Sequence, residues 1–231
     1  MRQARHTHRR RVTQAQSASS GSIGRLVVGL VAATLLAPWP AAPFAALDSP
    51  INLPPLVVPA DAEAIPVPAD LQVPLILKVL AFDRNFDKRG WTVLRIGIVF
   101  VASDPASAKV RSDIVEVFHR LSDKTLRNLP IDYTAVEYTS DAQIEGVVKA
   151  RQFAMLYIAP GNARNLQKLL QVCQDQHIIT TTGVPAYVEK GVAIGIGVRQ
   201  DRPEIVINLR SMRSAGSEFD ASLLQAARVI R

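Results

Sequence analysis

The chain has 231 residues, an apolar fraction of 48% and a formal net charge of +7, enough for one or two domains with a buried core. Six arginines and no acidic residue lie within residues 1–46, so the remainder carries 21 basic and 20 acidic residues, a net charge of +1. Such a nearly neutral body lacks the basic surface that phosphate backbones require, which argues against a nucleic-acid partner.

Residues 1–46 have the pattern of a secretory signal peptide. Arginines precede an apolar run of eleven residues, Leu26–Leu36, and small residues follow it as far as Ala46. This run is shorter than the about 20 residues that span a bilayer. We therefore expect cleavage near Ala46 and a periplasmic protein. The alternative is an uncleaved N-terminal segment that anchors the protein to the inner membrane.

Residues 47–74 are predicted to be a linker, because seven of these 28 residues are proline. Proline-rich chain is extended and excludes regular helix, so this segment would act as a tether before the folded domain. The first apolar helix is expected to begin near Asp70 and to end at Gly90. Within it, Asp83 and Asp87 lie one turn apart among basic residues, which predicts a solvated face with intrahelical ion pairs.

Strand and helix patterns then alternate along the chain. Proline in the first turn after Asp104 and a capping-box pattern at Ser140 mark two helix starts, and a third helix carries Cys173 on its apolar face. Phe219 to Ile230 shows helical spacing and predicts a closing helix. The apolar or alternating runs predict strands at 93–101, 131–138, 153–159, 178–182, 191–198 and 204–209.

This order predicts an α/β fold, a Rossmann-like or flavodoxin-like three-layer sandwich. Its sheet would be mostly parallel, with a C-terminal antiparallel hairpin formed by the last two predicted strands and then the closing helix. Gly195 and Gly197 fall within the hairpin and lack the rest of a dinucleotide fingerprint, so we attribute them to relief of crowding in a strand.

The sequence contains no pattern of a catalytic, cofactor or metal site. His119 and His177 are the only histidines after the leader and have no paired ligand spacing, while the single Cys173 is predicted to be a small buried hydrophobe. Neither a nucleophile elbow nor a phosphate-binding Walker motif is present. We therefore expect a non-enzymatic protein without catalytic residues, cofactor or metal.

Loops at the carboxyl ends of the predicted parallel strands are the candidate ligand or partner sites, because open α/β sheets bind their ligands there. Backbone amides at the following helix starts could hold a small anion. The alternative is that these loops are ordinary caps and turns. The candidate residues are Ser103, Asp104, Gly161, Asn162, Thr181, Thr182 and Gly183.

Several segments occur in an order and spacing that resembles a known family. They are Leu75–Phe86, Ile96–Phe100, Ala154–Ile158, Ile179–Gly183, Gly191–Gly195 and a C-terminal block with Ile207-Asn-Leu, Ala215-Gly and Ser222-Leu-Leu-x-x-Ala. Together they resemble the YfiR-like family of small exported proteins, also called DUF4154. The resemblance covers residues 75–231 and implies a Rossmann-like module outside the cytoplasmic membrane.

The resemblance also implies a function. The best-known member looks like a repressor that holds the extracytoplasmic sensor part of a membrane diguanylate cyclase, so that its loss raises cyclic di-GMP and favours biofilm. Our first hypothesis is therefore a periplasmic regulator of a membrane-bound signalling protein, a diguanylate cyclase or sensor kinase. A periplasmic small-solute-binding module is the alternative, and a homodimer is left open. Cysteine pairs of that repressor have no counterpart here.

Overall fold

The computed structural model of the protein describes residues 63–231. The predicted leader at 1–46 and the linker up to residue 62 lie outside these residues. Helix α1 begins at Ala69, and Gln72 and Val73 on it are already buried, with 1% of their surface exposed. Residues 69–74 are therefore helical, although the proline count predicted an extended linker there.

Sixteen elements follow one another in the described part of the chain. The helices are α1 (Ala69–Ala81), a short 3-10 turn (Asp87–Arg89), α2 (Pro105–Arg120), α3 (Asp141–Arg151), α4 (Leu166–Asp175), α5 (Pro185–Glu189), α6 (Leu209–Ser214) and α7 (Ala221–Ala226). The strands are β1 (Leu94–Phe100), β2 (Thr125–Leu126), β3 (Leu129–Glu137), β4 (Met155–Ile158), β5 (Ile179–Thr182), β6 (Ile194–Arg199), β7 (Arg202–Asn208) and β8 (Arg228–Ile230).

All eight strands form one sheet in the order β2-β3-β1-β4-β5-β6-β7-β8. Strands β3, β1, β4, β5 and β6 are parallel to one another, whereas β2 is antiparallel to β3, and β6 and β7 form an antiparallel hairpin. Apolar side chains cover both faces of this sheet in two separate clusters, one under α1 and α2 and one under α3, α4 and α5. The predicted α/β fold class is thus confirmed.

The C-terminal region is more divided than its helical spacing predicts. Only α7 lies within the predicted closing helix, a separate short helix α6 precedes it, and Ala227 takes an extended conformation (φ −109°, ψ 156°) that ends α7. Val229 and Ile230 then pair with β7 as an eighth, parallel strand. Their apolar side chains fit a helix or a strand equally well, and pairing with the free edge of β7 decides the outcome.

Asp83 contradicts the prediction of a solvated helix face. Helix α1 ends at Ala81, and Asp83 is fully buried. Its Oδ1 accepts hydrogen bonds from the backbone N–H groups of Asn85 and Glu218, each at 3.0 Å. The Arg89 guanidinium lies 3.5 Å from Oδ2. The spacing of acidic residues could not predict the burial of Asp83. The chain turns after α1, and Asp83 contacts Glu218, which lies 135 residues further along the chain.

Close packing of the sheet confirms two smaller predictions. A Cβ added at Gly195 would lie 2.2 Å from Cγ2 of Val188 on α5, so this glycine does relieve crowding between strand and helix. Cys173 is 1% exposed within the cluster under α4. Burial alone raises the pKa of its thiol to about 12, so it behaves as a small hydrophobe.

Candidate functional site

A cleft opens at the carboxyl ends of β1 and β4. The chain leaves β1 toward β3 on one side, and β4 lies on the other side, so the sheet order reverses here. Such a switch point is where open α/β sheets bind ligands. The cleft has a volume of about 710 Å³. Among the residues that line it are Glu63, Ser103, Asp104, Gly161 and Arg164.

Asp104 and Gly161 form the floor of this cleft. Asp104 is the N-cap of α2, and its Oδ1 accepts a hydrogen bond of 2.8 Å from the Ser107 amide. Gly161 has φ +80°, a left-handed conformation, and a Cβ there would come within 2.9 Å of Asp104 Oδ2. Glycine is thus required at position 161 both by the backbone and by the neighbouring carboxylate.

A carboxylate from the N-terminal segment reaches this floor. Glu63 is half-buried, and its Oε2 accepts a hydrogen bond from the backbone N–H of Gly161. This amide follows strand β4, and both Pro160 and Gly161 line the cleft. The amide of this strand-end loop is therefore in contact with a carboxyl group of the chain itself.

Tyr187 brings a second polar group to the same place. The residue is 1% exposed, and its hydroxyl has no well-formed hydrogen bond to any residue in the described range. The Glu63 carboxyl group and the backbone of Asn162 lie beside it. Burial, and then the neighbouring carboxylate of Glu63, raise the pKa of this phenol, so it stays protonated and able to donate.

The other candidate residues lie outside the cleft lining. Asn162 is buried and donates from Nδ2 to the Ala159 carbonyl at 3.0 Å. The Thr182 hydroxyl donates to the Ile158 carbonyl at 2.8 Å, which ties the end of β5 to β4. Thr181 is fully buried, and its hydroxyl also has no hydrogen-bond partner among residues 63–231. These three side chains are buried and do not line the cleft.

Helix α1 covers the loop at Gly183. A Cβ at this glycine would meet Oε1 of Gln72 at 2.4 Å, so the two groups are in close contact. Gln72 accepts a hydrogen bond of 2.8 Å from the buried Tyr157 hydroxyl and donates to the Val67 carbonyl at 2.5 Å. Burial is the main reason that the pKa of Tyr157 is raised. Of the three predicted loops, only those after β1 and β4 meet at an open surface.

The arrangement suits recognition of a small polar group. It offers a backbone N–H, a buried hydroxyl and the Arg164 side chain, opposite the Asp104 carboxylate. Within residues 63–231, no group of three or more His, Cys, Asp or Glu side chains is placed to hold a metal ion. No helix in the same range combines the length and apolar character that crossing a membrane requires.

Sequence reasoning missed Glu63, Gln72 and Tyr187. Glu63 falls in the predicted linker, 98 residues before its partner Gly161. Tyr187 lies on α5, a helix of five residues that no periodic pattern could indicate. Only the Gly183-Val-Pro string, which ends β5 and begins α5, marked a turn near this helix.

Solved structures share this architecture at low sequence identity. The ABC domain from Streptococcus pneumonia, solved in complex with L-Trp, is 16% identical with a TM-score of 0.50. A conserved domain protein from Vibrio cholerae is 12% identical with a TM-score of 0.52. A ligand-free, open substrate-binding protein with adhesive properties from Clostridium difficile is 14% identical with a TM-score of 0.48. Each comparison covers 71% of this chain and 60% of the solved chain.

These identities establish the fold and nothing finer. The chain spans 60% of the length of the solved proteins, so a further part of each has no counterpart here. No curated protein matches the sequence.

The family comparison is more specific. The family described as YfiR/HmsC-like, DUF4154, matches residues 98–228, from within β1 to the start of β8. The matched range is more than half of the chain and includes the cleft residues Ser103, Asp104 and Gly161. The chain therefore belongs to the YfiR/HmsC-like family.

Proposed function

We propose that this protein is a non-enzymatic periplasmic regulator that binds a membrane-bound signalling protein and modulates its output. Family membership over residues 98–228 is the observation that carries the proposal. The signal-peptide pattern of residues 1–46 supports export independently of the family. The partner would be a diguanylate cyclase or a sensor kinase, contacted through its extracytoplasmic domain.

Regulation of this kind requires differential binding. A regulator shifts its partner between active and inactive states only to the extent that it binds one of them more tightly. A rigid domain suits this role, because a surface that is already ordered loses little conformational entropy on binding. The two apolar clusters on either side of the sheet provide such rigidity here.

The test is affinity capture from membranes. The full chain, tagged after Arg231, is incubated with detergent-solubilised membranes of the source organism, and captured proteins are identified by mass spectrometry. We expect a protein with an extracytoplasmic domain and a cytoplasmic cyclase or kinase domain, displaced by excess untagged protein. Deleting the gene that encodes this protein should then change the cellular cyclic di-GMP level or the kinase output. Re-expression of the protein should restore the original level or output.

Two results would contradict this proposal together. One is capture of no membrane sensor, and the other is strong thermal stabilisation of the protein by a small metabolite. The gene neighbourhood gives a faster check, since an adjacent cyclase or sensor kinase supports regulation and adjacent transporter permeases support solute binding.

A second candidate function is small-solute binding in a transport or sensing system. The observation that favours it is the cleft of about 710 Å³ at the switch point, which is lined by Gly161 and by Glu63, the neighbour of the buried Tyr187 hydroxyl. The fold neighbour from Streptococcus pneumonia was solved with L-Trp, which shows that this type of fold accommodates a small molecule. A single lobe encloses a ligand less completely than two lobes do, so partner regulation is our first candidate.

A further inference from the structure

We infer that the cleft between β1 and β4 is a binding site for a small organic carboxylate, and that Glu63 occupies the carboxylate position until such a ligand displaces it. This inference does not depend on the membrane-partner proposal. It narrows the small-solute alternative to one chemical class.

The first argument is the contact itself. The Glu63 side chain is a carboxylate on a short flexible stem, and it accepts a hydrogen bond from the Gly161 amide. A free carboxylate can make the same contact with the same charge. Asp104 adds a second negative charge nearby, and the site nevertheless accepts Glu63. An incoming carboxylate group that takes the position of Glu63 therefore adds no further carboxylate to the contact with the Gly161 amide.

The second argument is the Tyr187 hydroxyl. It is buried, it lies beside the Glu63 carboxyl group, and yet it forms no well-formed hydrogen bond within the described range. Glu63 contacts the Gly161 amide and also lies beside this hydroxyl, but the carboxylate and the hydroxyl form no hydrogen bond of regular geometry. A ligand that is free to orient both carboxylate oxygens can engage the amide and the hydroxyl at once.

The third argument is that Glu63 can leave without unfolding the domain. Ala64 is exposed, whereas Val67 is 2% exposed and Ile65 packs against the cluster under α4. Ile65 and Val67 can therefore stay packed while a rotation of the Glu63 side chain moves its carboxylate away from the Gly161 amide. Arg164 at the cleft wall is a cation that the ligand can approach as Glu63 withdraws.

Glu63 thus acts as a tethered competitor. A group held by a short flexible chain has an effective concentration in about the millimolar range. Apparent affinity for an external ligand falls by the fraction of molecules whose site is open. Removing the Glu63 carboxylate should consequently tighten carboxylate binding by about tenfold.

The experiment is a titration of the ¹⁵N-labelled full chain with succinate, followed by the Gly161 amide resonance and by calorimetry. Succinamide, which has the same shape and no charge, is the control ligand. We expect the Glu63→Ala chain to bind succinate about tenfold more tightly than the unmodified chain, with a shift of the Gly161 amide. Glu116→Gln changes an exposed glutamate on α2 and should bind like the unmodified chain.

Tyr187→Phe in the Glu63→Ala background tests the buried hydroxyl separately. It keeps the ring in the core and should weaken succinate binding by about tenfold to a hundredfold, since one hydrogen bond to a charged group is lost. Equal succinate affinity with and without Glu63, equal binding of succinamide, or binding that leaves the Gly161 amide unmoved would each overturn the inference. These titrations contain no membrane partner, so their outcome neither supports nor contradicts the proposal that the protein regulates one.

Discussion

The ion pair between Asp83 and Arg89 should contribute more to stability than any surface pair of this domain. Asp83 is fully buried and the Arg89 side chain is 12% exposed. Arg89 donates hydrogen bonds to the carbonyls of His177 (3.2 Å) and Ala215 (2.8 Å) and to Ser217 Oγ (2.6 Å). Replacing Arg89 by methionine keeps an unbranched aliphatic stem but removes all of these donors. The substitution leaves the buried Asp83 carboxylate without its cation.

We expect Arg89→Met to lower the free energy of unfolding by about 4 kcal/mol, since breaking a buried pair from one side costs about 3–5 kcal/mol. For a domain of this size the melting temperature should fall by roughly 8–16 °C. The assay is urea unfolding of the full chain followed by circular dichroism, with the slope of the transition compared between variants.

Two further variants make the reasoning refutable. Arg120→Met breaks a surface pair with Asp70, whose side chains are 54% and 66% exposed, and should cost less than about 1 kcal/mol. The double variant of Asp83→Asn and Arg89→Met contains no buried carboxylate without a cation. The double variant should therefore lose at least about 1 kcal/mol less unfolding free energy than the sum of the two single variants. A cost for Arg89→Met no greater than that of Arg120→Met, or strict additivity, would refute the argument.

Two other predictions follow from the packing of the core. Because burial raises the pKa of the Cys173 thiol to about 12, the native protein holds almost no thiolate at pH 8. Iodoacetamide should therefore label Cys173 at least about tenfold faster in urea than in the native protein. Equal labelling rates in the two conditions would contradict this prediction. Gly195→Ala should destabilise the domain by about 1–3 kcal/mol, because its Cβ would lie 2.2 Å from Val188. The control Gly146→Ala, which has open space on α3, should stabilise the domain by about 0.5–1 kcal/mol. The opposite order of the two variants in thermal melts would exclude this explanation.

Elements with strong local patterns could be predicted from the sequence. The apolar run at 93–101 became β1, and the N-caps Asp104 and Ser140 accept hydrogen bonds from the Ser107 and Gln143 amides as their motifs indicate. These features depend on residues within one or two turns of each other, so spacing alone carries the information.

Three short elements without an apolar run of their own could not be predicted in the same way. Strand β2, helix α5 and strand β8 are too short for a period, and their conformation depends on the neighbour against which they pack. The predicted strand-end loops after β1 and β4 do meet in one cleft, because parallel order brings their carboxyl ends together. Their ligand role stays a prediction.

Long-range contacts explain the remaining differences. Glu63 meets Gly161 across 98 residues, and Asp83 meets Glu218 across 135. Nothing in the local spacing of a carboxylate distinguishes one that faces water from one whose partner lies on another element. Asp83 was therefore assigned to the surface, and Glu63 to a linker.

The distance in sequence between Asp83 and its partners has a consequence for how the chain folds. Asp83 depends on Glu218, and Arg89 on Ala215 and Ser217, through contacts that span 126 to 135 residues of the chain. Until these contacts form, the carboxylate has no complete set of partners and burying it is unfavourable. Closure of the end of α1 is thus a step of high contact order, which is expected to come late in folding.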